Sequence, residues 1–112
     1  MKKYKNLFSA KNKTILINGG LGLLGSEIAQ AFLSMDANVI ILDTNKTKKN
    51  KFIREINSNY LNKLNIIITD TSQKKNIEKI FNNFKKNKLK IDIFINCSYP
   101  KDKNWPQNNF KQ

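Results

Sequence analysis

At 112 residues the chain has room for one domain with a small core. Its net charge of +13 is almost wholly lysine on predicted loops and helix surfaces, which favours a solvated basic surface over a specific nucleic-acid reader, since such readers lean on arginine forks and Arg54 is the only arginine. One cysteine and no histidine exclude an intramolecular disulfide and leave no ligand set for a metal.

Residues 1–12 read as a basic lead-in. The start Met1-Lys2-Lys3-Tyr4-Lys5 is not followed by a signal-peptide apolar region, and no apolar stretch is long enough to span a membrane. A cytoplasmic location is therefore expected. The first predicted strand is Thr14–Asn18 (TILIN), followed by a helix whose apolar stripe is Leu24, Ile28, Ala31 and Met35. Asn38–Asp43 (NVIILD) is the second strand. Phe52, Ile56, Tyr60 and Leu64 step by four and predict a second helix. The third strand is Asn65–Asp70 (NIIITD), and Thr71 and Ser72 stand ready to cap a third helix carrying Ile77, Ile80, Phe81 and Phe84. Ile91–Asn96 (IDIFIN) is the fourth strand. These strands are apolar on consecutive positions, as strands buried on both faces are. Residues 98–112, with Pro100 and Pro106, are polar and aperiodic and read as loop or disorder. The alternation predicts an α/β domain over residues 13–97, a parallel sheet with right-handed crossovers.

The glycine-rich run Asn18-Gly19-Gly20-Leu21-Gly22-Leu23-Leu24-Gly25 lies between the first strand and the first helix, the setting that gives such a run meaning. Gly19 lets the chain turn out of the strand. Gly22 clears the approach of a pyrophosphate, and Gly25 lets the helix pack closely. Leu23 and Leu24 join them in the cofactor-binding set, at a helix start whose N–H groups suit a diphosphate. No Gly-Lys-Ser/Thr ending follows, so this is not a triphosphate P-loop. Asp43 ends the second strand about twenty residues on, where a carboxylate accepts from the adenosine ribose hydroxyls and repels a 2′-phosphate. NAD is thus expected over NADP, with Lys46 and Lys48 close enough to soften the preference.

These residues resemble the short-chain dehydrogenase/reductase family over roughly residues 10–105. Gly19, Gly22 and Gly25 are similar to its glycine motif in the spacing common among sugar-nucleotide members, and Asp43 to its ribose acid. Asp70-Thr71-Ser72 resembles the element that closes over the adenine, with Asp70 accepting from the amino group and Thr71 lending its backbone. Ile91–Ser98 resembles the segment in which the fourth strand ends beside the cofactor, which adds Asn96, Cys97 and Ser98 to the set. Asn18 replaces the usual threonine before the glycines, and Asn96-Cys97-Ser98-Tyr99 replaces Asn-Asn-Ala-Gly. The run from Tyr99 to Trp105 is similar to a branch tied to flagellin modification and surface sugars. The resemblance implies a Rossmann-type half-sheet of four parallel strands in order 3-2-1-4, ending before the fifth strand.

The resemblance also implies a catalytic serine, tyrosine and lysine from the fifth strand and the helix after it. The 112 residues contain no such segment. Tyr99 and Lys103 fit the spelling Tyr-x-x-x-Lys, but they follow the fourth strand directly and Pro100 lies between them, so no catalytic residue is assigned. Cys97 has no histidine to activate it and reads as a small filler. The expected protein is the NAD-binding portion of an oxidoreductase whose full-length relative acts on a hydroxyl or carbonyl of a sugar-like substrate, inactive as it stands. Its expected partners are the dinucleotide and either a C-terminal half or another copy. A stand-alone NAD-sensing module and a basic nucleic-acid-binding protein are the alternatives. The fourth strand would expose an open edge, so poor solubility is expected for the chain alone.

Overall fold

A computed structural model describes residues 9–98. Tyr99, Lys103 and most of the expected lead-in and tail lie outside the described residues. The elements are β1 (Thr14–Asn18), α1 (Leu23–Ser34), β2 (Asn38–Asp43), α2 (Lys46–Glu55), a 3-10 helix η1 (Ser58–Lys63), β3 (Leu64–Ile68), α3 (Lys74–Lys86) and β4 (Ile93–Asn96). The sheet has the order β3-β2-β1-β4 and every pairing is parallel. This is the expected Rossmann-type half-fold. In the ladder Asn18 pairs with both Leu42 and Asn96, and Asp43 with Ile68. The carboxyl ends of all four strands therefore meet at one edge of the sheet.

Alternation along each strand supplies two apolar layers. On one face Ile15, Ile17, Val39 and Ile41, all fully buried, pack with Ile66 against Ala29, Leu33 and Phe52. Ala10, just before β1, is buried in the same cluster. On the other face Leu16, Ile40 and Leu42 pack against Phe84, with Ile80 and Ile91 beside them. Phe94 is the partner of Leu16 in the ladder, yet it is 59% exposed. The second layer is thus thin and open over β4.

The helix faces differ from the expected stripes in instructive ways. In α1 the buried residues are Gly25, Ala29 and Leu33, with Ile28 and Phe32 alongside. Leu24, Ala31 and Met35 are exposed. The buried face is set by close approach to the glycine loop and the sheet, which Gly25 and Ala29 permit, and it carries Leu33 where the expected stripe has Ala31 and Met35. The set Phe52, Ile56, Tyr60 and Leu64 does pack on one core, but across three elements. α2 ends at Glu55, and Ile56 is extended at φ −76° and ψ 151°. Asn57 then accepts from the N–H of Asn59 to start η1, a turn that asparagine side chains favour. In α3 Phe84 and Ile80 point inward, while Ile77 and Phe81 stay more than a third exposed.

Strand ends also move. β3 starts at Leu64 and stops at Ile68 rather than Asp70, because Asp70 takes the N–H of Ser72 and opens a turn. β4 starts at Ile93. Before it, Thr14 and Asp92 form a reciprocal clasp: Asp92 N–H donates to the Thr14 carbonyl at 2.9 Å, and Thr14 N–H to Asp92 Oδ2 at 2.9 Å. Gln73, not Thr71 or Ser72, is the N-cap of α3, and it makes no side-chain capping bond.

Candidate functional site

The glycine run bends tightly where β1 ends. Gly19 has φ +75°, a conformation that costs a side-chain-bearing residue dearly, and its N–H donates to the Leu42 carbonyl at 2.7 Å. A Cβ on Gly19 would lie 2.8 Å from the Ser98 nitrogen, and one on Gly20 2.7 Å from Ile41 Cγ2. A Cβ on Gly25 would collide with the Gly19 carbonyl oxygen and lie 2.8 Å from Gly20 Cα. These three glycines therefore serve the fold itself. Gly20, buried on β2, was not singled out from the sequence, because no motif spelling marks it.

Gly22 is different. Its backbone is ordinary, at φ −71°, and a Cβ there would meet only the Gly19 carbonyl oxygen, at 3.5 Å. The fold has no need of glycine at this position. What the missing side chain leaves is clear space over the start of α1. That helix end has no side-chain cap and no acid in its first turn, so its first N–H groups are available to an acceptor. A site that keeps space and donors together suits an anion such as a diphosphate.

Gly19, Gly22, Leu23, Leu24, Gly25, Asp43, Cys97 and Ser98 line one cavity of about 800 Å³. Pockets for small molecules and cofactors commonly run from about 300 to 1,000 Å³. Leu23 is 90% exposed and forms an apolar lip. Glu27 and Lys48 also line the cavity. Lys48 comes from the first turn of α2, whereas Lys46 is not among the lining residues. Glu27 was not anticipated, since nothing in its helical setting separates it from any solvated acid. A second cavity, of about 670 Å³, lies between β3 and α3, away from the glycine loop.

Asp43 faces the loop with its carboxylate fully oriented. Oδ2 accepts from Leu21 N–H at 3.0 Å, while Oδ1 accepts from Thr44 N–H at 2.7 Å and Asn45 N–H at 3.2 Å. Asp70, Thr71 and Asn96 stand outside the cavity lining but at the same edge of the sheet. Asp70 Oδ1 accepts from the hydroxyl of Ser72 at 2.6 Å and from its N–H at 3.0 Å. The hydroxyl bond first, and the backbone bond second, hold this carboxyl below its ordinary range. Thr71 donates to Asn18 Oδ1, and Asn18 donates to Asn96 Oδ1, both at 3.2 Å. Cys97 packs partly buried against the larger core cluster.

A parallel sheet in order 3-2-1-4, with a glycine turn opening a helix at the end of its first strand, defines a Rossmann-type α/β half-domain. Residues 13–104 match the profile of the family described as short chain dehydrogenase. The chain belongs to this family of oxidoreductases, which bind a nicotinamide dinucleotide.

It is 33% identical over 88 residues to the short chain dehydrogenase/reductase dpfgG of Gibberella zeae, covering 79% of this chain and 32% of that protein. Among solved structures it is similar to a short chain dehydrogenase from Leptospira borgpetersenii with bound NAD+, at 28% identity and a TM-score of 0.73. That match covers 91% of this chain and 36% of the other. A 2-keto-3-deoxy-D-gluconate dehydrogenase from Streptococcus agalactiae shares the fold, with a TM-score of 0.74 at 21% identity over 91% of this chain and 38% of that one. The chain spans about a third of the length of these relatives. Among the described residues, no helix is long and apolar enough to cross a membrane.

Proposed function

We propose that residues 13–97 form the NAD-binding portion of an oxidoreductase, with the diphosphate over Gly22 and the start of α1. The observation that carries this reading is Gly22, a glycine the fold does not need, beside an uncapped helix end. When bound, NAD supplies a hydride acceptor, or a donor in its reduced form. Gly19, Gly22, Leu23, Leu24 and Gly25 hold the pyrophosphate side. Asp70 and Thr71 take the adenine, and Asn96, Cys97 and Ser98 line the side toward the nicotinamide.

Asp43 binds the adenosine ribose. A carboxylate offers roughly four acceptor sites, and three protein N–H groups already point at this one. It thus has room for one ribose hydroxyl, and accepting a second opens or shares a loop bond. Its negative charge disfavours a 2′-phosphate, while Lys48 at the cavity moderates the effect. NAD+ is expected to bind more tightly than NADP+ in a calorimetric titration. Asp43→Ala is expected to lower NAD+ affinity about tenfold or more, as loss of a hydrogen bond to a charged group does, and to narrow the gap. Equal or tighter binding of NADP+ to the native chain would rule out the NAD preference.

The complete enzyme is proposed to move hydride to or from a hydroxyl or carbonyl on a sugar-like substrate, supported by the glycine spacing shared with sugar-nucleotide members. The serine, tyrosine and lysine of that chemistry are not among these 112 residues. The chain alone is therefore expected to bind cofactor without turnover, and activity is expected once a polypeptide bearing that segment is added. The single cysteine supports a reducing, cytoplasmic setting.

A further inference from the structure

We propose that Asn18 is a positioning residue that ties the Asp70–Ser72 turn to the Asn96–Ser98 strand end, so that order on one side of the cofactor site is passed to the other. Thr71 and Asn96 are joined through it. The Thr71 hydroxyl donates to Asn18 Oδ1 at 3.2 Å, and Asn18 Nδ2 donates to Asn96 Oδ1 at 3.2 Å. That same Asn96 oxygen accepts the Ser98 N–H at 3.1 Å, and the Asn18 carbonyl accepts the Cys97 N–H at 2.8 Å.

The chemistry of the primary amide makes this relay possible. One planar group accepts at its oxygen and donates at its nitrogen, and accepting the Thr71 hydroxyl strengthens the N–H that it gives to Asn96. A single hydroxyl at position 18 is too short to reach both partners in this way. The relay ends at Ser98, whose nitrogen abuts Gly19 so closely that a Cβ there would lie 2.8 Å away. Tightening the relay thus seats the strand end against the phosphate loop. The functional part rests on the proposed placement of the adenine at Asp70 and Thr71; the coupling itself does not.

Hydrogen exchange of the ligand-free full chain, followed by mass spectrometry over residues 94–98, tests it. Thr71→Val is expected to speed exchange at Cys97 and Ser98 about three- to tenfold, the scale of one net hydrogen bond. In an Asn18→Ala background the same Thr71→Val change is expected to add nothing. Asn18→Thr retains a small polar side chain, and should the alanine variant unfold, it is expected to abolish the coupling in the same way. Exchange at Ser98 that ignores Thr71→Val, or that responds equally in both backgrounds, would overturn the proposal. In a second arm, AMP is expected to protect Ser98 in the native chain and not in Asn18→Thr; equal protection in both would also overturn it. Failure of AMP to bind the native chain would count against the cofactor reading, while the ligand-free comparison decides for or against Asn18 alone.

Discussion

All four glycines of the chain lie between residues 19 and 25, and their surroundings tolerate a side chain unequally. Gly25 faces backbone, the Gly19 carbonyl and Gly20 Cα, which cannot step aside. Gly20 faces the branched side chain of Ile41, itself fully buried. Gly25→Ala and Gly20→Ala are therefore overpacking changes, each expected to destabilise by about 1–3 kcal/mol. Thermal melts of the two variants check this, and a melting temperature equal to that of the native chain in either would show that the loop has slack. Gly22→Ala is expected to melt with the native chain, because neither its backbone angle nor its surroundings oppose a Cβ.

At the scale of elements, the strands were legible in the sequence and the helix faces only in part. β1 and β2 follow from TILIN and NVIILD to the residue, since consecutive β-branched residues have few other uses. The buried side of α1 escaped because Gly25, which carries no weight in an apolar stripe, sets its closest contact with the loop, so that the buried face runs through Ala29 and Leu33 rather than through Leu24, Ala31 and Met35. Most of the candidate site was legible because glycines and strand-end acids have fixed places in this topology. The relay through Asn18 was not, since a side chain that joins three strand ends leaves no mark in local spacing.

The clasp at the start of β4 carries a pH dependence. The backbone bond from Thr14, and next the nearby Lys90 and Lys13, hold the Asp92 carboxyl below the ordinary carboxylate range. A carboxyl lowered by folding adds stability above its unfolded value, and this is lost as pH falls through the folded value. The native chain is thus expected to lose stability as pH drops below about 4, and Asp92→Asn to lose less over the same window. Melts from pH 6 to pH 3 that fall in parallel for both would remove Asp92 from the account.

At the scale of the whole molecule, the two faces of the sheet are unequally covered. One is covered by α1 and α2 except at Ile93, the ladder partner of Ile15, which is 39% exposed. The other is closed by α3 at Phe84 but leaves Phe94 59% exposed, and both residues lie on β4, a terminal strand of the sheet among the described residues. Such an edge presents unpaired N–H and C=O groups beside apolar surface and seeks a partner. The charge of +13 opposes association of like chains, and salt removes that opposition. As the screening length falls from about 30 Å at 0.01 M to about 3 Å at 1 M, the isolated chain is expected to move toward larger species in sedimentation velocity. A chain that stays monomeric across that range would show that the β4 edge is satisfied as it stands.

The space over Gly22 is proposed to hold the cofactor diphosphate, and titration of NAD+ into the native chain and into Gly22→Val decides whether it does. The native chain is expected to bind saturably, and the variant, with an unchanged circular dichroism spectrum and melt, to bind at least about tenfold more weakly. That loss corresponds to about 1.4 kcal/mol. A folded Gly22→Val chain that binds NAD+ as tightly as the native one would place the diphosphate elsewhere.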